Sequence, residues 1–281
     1  MHDFTWTAEH IRQAEQPLLE SQTEPDQLMR CAAAAVAQAA RDMRLDIAGR
    51  AGKILVLAGP GGNGGDGLYA GAELAEQGEE VDAYLTASSA HEPALEAFRR
   101  AGGTVLEAIP ESPWDYVLAI DAITGIGGTA GLREELTEVV EFTEFRLTRV
   151  LSVDVPSGID ADTGDGADLH VSADATVTFG GWRRAHALNP ACGTQLLADI
   201  GIADKTLSET LEQLSDEGEL GDTLLLYASR AVPPRMKFSA PLEPMQPARV
   251  YTVAPQPADD KYSGGVVGAV SYTHLTLPTK A

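Results

Sequence analysis

The sequence predicts a doubly wound α/β domain with a mostly parallel sheet, and three observations carry that reading. Continuously apolar runs of strand length alternate with helical stretches from Lys53 to Ile200. The first run leads into a stretch from Gly59 to Gly67 that holds six glycines. Two later runs end in an acid, Asp121 and Asp154. Runs that are apolar at every position belong to strands buried on both faces, as in parallel sheets covered by helices. In such sheets ligands bind outside the carboxyl ends of the strands, so the loops there are the ones to read for chemistry.

Two helices come first. Thr7 to Glu20 opens on a Thr-Ala-Glu-His start, and Asp26 to Leu45 follows Pro25. In the second, Leu28, Ala32, Ala35, Val36, Ala39, Ala40 and Met43 fall on one helical stripe. Its alanines permit close packing against a sheet or a partner chain, and a core helix is the simpler reading. Lys53 to Ala58 is the first strand. A glycine-rich loop and a helix from Leu68 to Gln77 follow, with Gly78 placed as a C-cap. Val81 to Leu85 is a strand, Pro93 to Ala101 a helix and Thr104 to Leu106 a short strand. Tyr116 to Asp121, Arg149 to Asp154, Ala175 to Phe179 and Gln195 to Ile200 are further strands, with a helix over Leu132 to Phe142. The result is a Rossmann-like three-layer sandwich with N-terminal helices and an irregular C-terminal tail. After Ile202 the pattern weakens. Lys205 to Glu219 suits a short polar helix, and residues 231–260 hold seven prolines, as a linker would.

Composition narrows the function. Of 281 residues, 44% are hydrophobic and 22% charged, the balance of a globular chain. The formal net charge is −22. Such a surface repels phosphate backbones and anionic membranes, which argues against both as partners. An anionic small ligand would need backbone N–H groups or a cation at its site. Cys31 and Cys192 form no metal or redox motif. No signal peptide or membrane-length apolar run stands out, so a highly soluble cytoplasmic protein is expected.

Three strand-end loops could carry chemistry. In the first, Gly59, Gly61 and Gly64 satisfy GxGxxG after a strand, with acids such as Asp82 roughly twenty residues on. A dinucleotide-dependent dehydrogenase would explain that match. Asn63 and Asp66 argue otherwise: an acid at the mouth of a helix repels pyrophosphate and better suits hydroxyls, a polar base or a cation. The second loop, Asp121 to Gly131, is glycine-rich and precedes the expected helix at Leu132, so it is a candidate for the anionic part of a substrate. The third begins at Asp154 and runs through Pro156, Ser157 and Gly158. A strand-end Asp is expected to be partly buried, which can raise a carboxyl toward general acid/base duty.

Together these loops resemble the N-terminal epimerase domain of the NAD(P)HX repair enzymes. That pattern is a strand, GxGNNGGDG, an Asp before a glycine-rich loop, and a strand ending in DxPSG. Ala173 to Gly180 and Ala198 to Ile202 resemble two later segments, so the likeness covers about residues 5–203. The resemblance implies an isomerase that interconverts the R and S hydrates of NADH and NADPH at C6 of the damaged nicotinamide ring. Asp154 would bind the reacting ring and act as the catalytic acid/base. Gly62, Asn63, Gly64, Gly65 and Asp66 would contact the substrate, as would Gly125, Ile126, Gly127, Gly128, Thr129, Ala130 and Gly131. Asn63, Asp121 and Ser157 would hold one potassium ion per subunit. A homodimer is also implied, and the alanine-rich helix is compatible with one.

Two positions depart from the pattern. Gly62 stands where the first Asn is usual, which removes a side chain but keeps the backbone. Arg183 stands nearest a usual Lys; it keeps the charge but is no neutral base. Residues 1–220 form the expected epimerase domain and 221–260 a linker. Residues 261–281 resemble the opening of an ADP-dependent dehydratase domain whose pattern breaks at Ser271, as a foreign or artefactual tail would, so no dehydratase activity is expected of this chain. Two other readings compete: a nicotinamide dehydrogenase, and a non-catalytic scaffold of the same fold. Against the first, no His or Tyr–Lys pair stands out; against the second, Asp66, Asp121 and Asp154 are retained.

Overall fold

The computed structural model describes residues 5–46, 51–145 and 147–218, together with the backbone of 243–244. Its elements in order are β1 (Thr5–Trp6), α1 (Ala8–Glu20), α2 (Gln27–Asp46), β2 (Lys53–Ala58), α3 (Gly62–Glu76), β3 (Val81–Leu85), α4 (Glu92–Arg100), β4 (Thr104–Leu106), β5 (Tyr116–Ala122), α5 (Thr137–Thr143), β6 (Arg149–Val153), β7 (Ala175–Phe179), β8 (Trp182–Arg183), α6 (Arg184–Leu188), β9 (Thr194–Ala198), β10 (Gly201–Ile202), β11 (Lys205–Thr206), α7 (Leu207–Asp216) and β12 (Glu243–Pro244).

Seven parallel strands run in the order β9-β7-β6-β5-β2-β3-β4, and β12 adds antiparallel to the β9 edge. The chain winds outward from β2 through β3 and β4, then returns to β5 and winds the other way. The strand order therefore reverses between β2 and β5, and a crevice opens there at their carboxyl ends. Both faces of β2 are buried. Ile54, Val56 and Ala58 pack toward α2 and α3, while Leu55 and Leu57 pack with Tyr116, Val139 and Phe142 on the other side. Each such leucine contributes roughly 1.5–3 kcal/mol by leaving water. This is the doubly wound architecture expected from the runs of apolar residues.

The alanine stripe of α2 is used within the domain. Ala32, Ala33, Ala35, Ala37, Ala39 and Ala40 are buried in the main core. Parallel pairing of β1 with β8 sets the start of α1 beside Arg183, and the Asp162 carboxylate accepts the Ala8 N–H at 2.7 Å. Helix α1 is thereby tied over the crevice.

Two expectations need correction. The stretch Gly62 to Gly67 is not a loop: α3 starts at Gly62, not at Leu68. Glycine is poor in helices, but here packing requires it. A Cβ on Gly64 would stand 2.0 Å from the Gly59 carbonyl oxygen, and one on Gly67 2.5 Å from the Ala122 Cβ. The glycines let α3 lie directly on β2 and β5. The second correction concerns residues 132–142. A 3-10 turn at Glu134–Leu136 precedes α5, which begins only at Thr137. The second loop thus leads into acidic residues rather than into a helix N-terminus able to cradle phosphate. The expected linker and dehydratase remnant, residues 221–281, lie outside the described residues except for Glu243–Pro244.

Candidate active site

A cavity of about 550 Å³ opens at the switch point. Its walls include Pro60, Gly61, Gly62, Asn63 and Asp66 from the β2 side, Thr124 to Gly127 after β5, and Asp154 after β6. Glu15 and Leu19 of α1, Met29 of α2, Phe179 and Arg183 also line it.

Asp154 follows β6 directly with φ of +67°, a left-handed conformation that costs a non-glycine residue on the order of 1–3 kcal/mol. Its N–H still donates to the Val177 carbonyl, which continues the sheet ladder. The turn aims its carboxylate back across the strand ends. There Arg183 Nη2 lies 2.8 Å from Oδ1, Thr178 Oγ1 donates to Oδ1 at 3.0 Å, and the Ile126 N–H donates to Oδ2 at 3.0 Å. Gly125 keeps the other side open, because a Cβ there would stand 3.1 Å from Oδ2. His186 braces the backbone. Its Nδ1 accepts the Arg183 N–H, so Nε2 carries the proton given to the Asp154 carbonyl at 2.8 Å. The expected partial burial of Asp154 is therefore realised, with an ion pair that the sequence did not disclose.

Asp121 is fully buried beneath the loop. Ser157 Oγ and Ile123 N–H donate to its Oδ1, while Ser152 Oγ and Ser157 N–H donate to Oδ2. Burial raises this carboxyl above its ordinary range, and those donors pull it back in part. All of these donors are neutral groups. Nearby, the amide nitrogen of Asn63 is buried without a partner, and its Oδ1 lies 2.9 Å from where a Gly125 Cβ would be. The Asn63 amide oxygen, the Asp121 carboxylate with its neutral partners and the Ser157 hydroxyl are oxygen donors of the kind a hard monovalent cation takes, whereas the unspent Asn63 N–H is left for an acceptor. The described residues include no cluster of three or more His, Cys, Asp or Glu able to hold a metal.

Asp66 sits one turn inside α3, and the N-cap is Gly61, which makes no side-chain cap bond. Its carboxyl lines the cavity and is half-buried; burial, then the charges of Asp154 and Glu15, raise it well above the usual carboxylate range. Glu15 is raised as well, by burial first and by Asp154, against lowering from Arg183 and Arg12.

Of the sequence-predicted contacts, Gly62, Asn63, Asp66, Gly125, Ile126, Gly127 and Asp154 line the cavity. Gly64 and Gly65 are buried in the packing of α3, while Gly128, Thr129, Ala130 and Gly131 lie outside the cavity wall. Asp82, the acid a dinucleotide-binding loop would want near its ribose, is the second residue of β3, away from the carboxyl end. It is bound there by Tyr116 Oη at 2.6 Å and Lys53 Nζ at 3.1 Å.

The model of the family described as YjeF-related protein N-terminus matches residues 25–185. The chain belongs to this family. An NAD(P)H-hydrate epimerase of Microbacterium testaceum is 42% identical over 74% of this chain and 80% of its own length. The bifunctional NAD(P)H-hydrate repair enzyme Nnr of Corynebacterium glutamicum is 40% identical over 95% of this chain. The chain spans about half the length of that relative, 52%. The crystal structure of yeast YNL200c shares the fold, with a TM-score of 0.60 at 21% identity over 69% of this chain and 88% of that one.

For this YjeF-related domain, sequence reasoning missed Glu15, Met29, Thr178 and Phe179. Glu15 and Met29 belong to helices whose position over the crevice no local pattern encodes. Thr178 and Phe179 were visible as strand residues and as part of the Ala173 to Gly180 segment, with no site role attached. The inward-facing carboxylate of α1 had a signal of a kind, since Glu15 lies one residue beyond buried Ala14 on a helix whose apolar stripe is short.

Proposed function

We propose that this chain interconverts the R and S forms of hydrated NADH and NADPH as a metabolite-repair isomerase. The observation that carries the reading is the Asp154 carboxylate, held at the mouth of the switch-point cavity by Arg183, Thr178 and the Ile126 N–H. The match to relatives named for NAD(P)H-hydrate epimerisation supports it.

In this reading the reacting ring lies against Asp154 and the Gly125–Gly127 turn. At C6 the hydroxyl-bearing carbon adjoins the ring nitrogen, whose lone pair assists loss of the hydroxyl. Asp154 moves the proton that departure and return require. Because α3 starts at Gly62, Asp66 lies a turn inside the helix rather than at its mouth, and the uncapped start, with Gly61 and Gly62 on the cavity wall, offers N–H groups to the diphosphate. Asn63, Asp121 and Ser157 would hold potassium, which supplies a positive charge beneath an acidic site receiving an anionic substrate. Their oxygens fit that role better than a structural one, given the neutral partners of Asp121.

The location of Asp82 speaks against a dehydrogenase, and the cavity lined by three carboxyls against a scaffold. Chiral separation of R-NADHX after incubation with the chain tests the proposal: appearance of the S form faster than in buffer supports it, and no acceleration by folded protein refutes it.

A further inference from the structure

Three carboxyls and one guanidinium line the cavity: Glu15 from α1, Asp66 from α3, Asp154 after β6, and Arg183 from β8. Both terminal nitrogens of the guanidinium are engaged, while Nε is buried without a partner. Its Nη2 pairs with Asp154 and its Nη1 donates to the carbonyls of Phe179 and Gly181. Asp66 therefore faces the cavity with two other carboxyls and a cation whose terminal nitrogens are already paired elsewhere. It also comes from the β2 side of the crevice, whereas Asp154 comes from the β6 side, with the Thr124–Gly127 turn of β5 between them.

We propose that Asp66 is a second catalytic carboxyl, serving one face of the nicotinamide ring while Asp154 serves the other. The inference rests on the epimerase reading and deepens it. In the R and S hydrates the hydroxyl lies on opposite faces of C6, so departure and return need a proton partner on each face. On one side Asp66 gives its proton to the hydroxyl oxygen as the C6–O bond breaks. The ring-nitrogen lone pair forms a C=N bond, and water leaves. Water then adds to C6 from the other face, its proton passes to Asp154, and the electron pair returns to nitrogen. The reverse reaction swaps the roles, and exchange with solvent resets the two carboxyls. No oxidant or reductant enters.

Asp66 suits the acid role because it lines the cavity beside two other carboxyls, and burial, then the charges of Asp154 and Glu15, favour its protonated form. It lies beyond the first turn of α3, where stabilisation of an anion by the helix start has faded. Glu15 acts through Asp66 and is a positioning residue.

The test compares steady-state epimerisation of R-NADHX, in potassium buffer across pH, for the parent chain, Asp66→Asn and Glu15→Gln. Asp66→Asn is expected to keep its fold and its KM within a few-fold, and to lose about 100-fold or more in kcat. The parent rate is expected to fall at alkaline pH as Asp66 loses its proton. Glu15→Gln is expected to move that fall to lower pH, because a like charge has gone. Parent-like kcat in Asp66→Asn, or an alkaline limb that Glu15→Gln leaves in place, overturns the proposal while the epimerase reading stands. An inactive parent chain overturns both.

Discussion

The Arg183 guanidinium and the Asp154 carboxylate lie 2.8 Å apart, with side-chain exposures of 1% and 7%. The pair orients the carboxylate, and its burial makes each partner depend on the other. Breaking a buried pair from one side leaves an unpaired charge and costs about 3–5 kcal/mol. Urea unfolding of Arg183→Met is therefore expected to show a loss of that order. The double variant with Asp154→Asn should lose clearly less than the sum of the two single variants. Additive losses would mean that the pair is not coupled.

The glycines of α3 differ sharply in what they permit. A Cβ on Gly62 would meet only Met29 Cε, at 3.9 Å, while one on Gly64 would meet a carbonyl oxygen at 2.0 Å. Gly62→Asn is expected to change stability by less than about 0.5 kcal/mol. Gly64→Ala should cost about 1–3 kcal/mol or more, because backbone must shift. Thermal unfolding of the two variants side by side checks this.

Asp66 binds its proton more tightly in the folded chain than in the unfolded one. Its contribution to stability is complete below its ordinary pKa of 3.8 and is lost as pH rises through the raised folded value. Asp66→Asn should thus unfold at higher denaturant than the parent at pH 8, and the gap should shrink toward pH 4. A gap that stays flat with pH would show that the carboxyl is not held protonated.

Asp121 is the buried carboxylate whose partners are all neutral. Potassium is expected to raise the melting temperature of the parent above that in an equal concentration of a bulky organic cation. At a hundred times the dissociation constant, a single site adds about 2.7 kcal/mol. Asn63→Ala and Asp121→Asn should abolish the potassium-specific rise. Equal effects of both salts on the parent would remove the cation from the account.

Much of this was legible in the sequence because burial on both faces leaves a simple signature. The runs from Lys53, Val81, Thr104 and Ala175 became strands with the same bounds. Asp121 and Asp154 stood out as acids ending apolar runs; the structure places Asp154 on the cavity wall and buries Asp121 within β5 beneath it. The glycines of α3 misled because local propensity and tertiary packing disagree there: glycine favours a loop, and the closeness of Gly59 and Ala122 demands it in a helix. Glu15 was invisible, since nothing in α1 states what the helix will cover. The partnership of Arg183 with Asp154 joins the turn after β6 to β8, 29 positions on, and no spacing rule encodes it.

The most direct test of the central claim is chiral chromatography of R-NADHX incubated in potassium buffer with the parent chain and with Asp154→Asn, each shown to be folded. The expected result is conversion toward an R/S mixture by the parent and at least about a 100-fold slower conversion by the variant. Equal rates for the two chains, or no conversion above buffer by either, would contradict it.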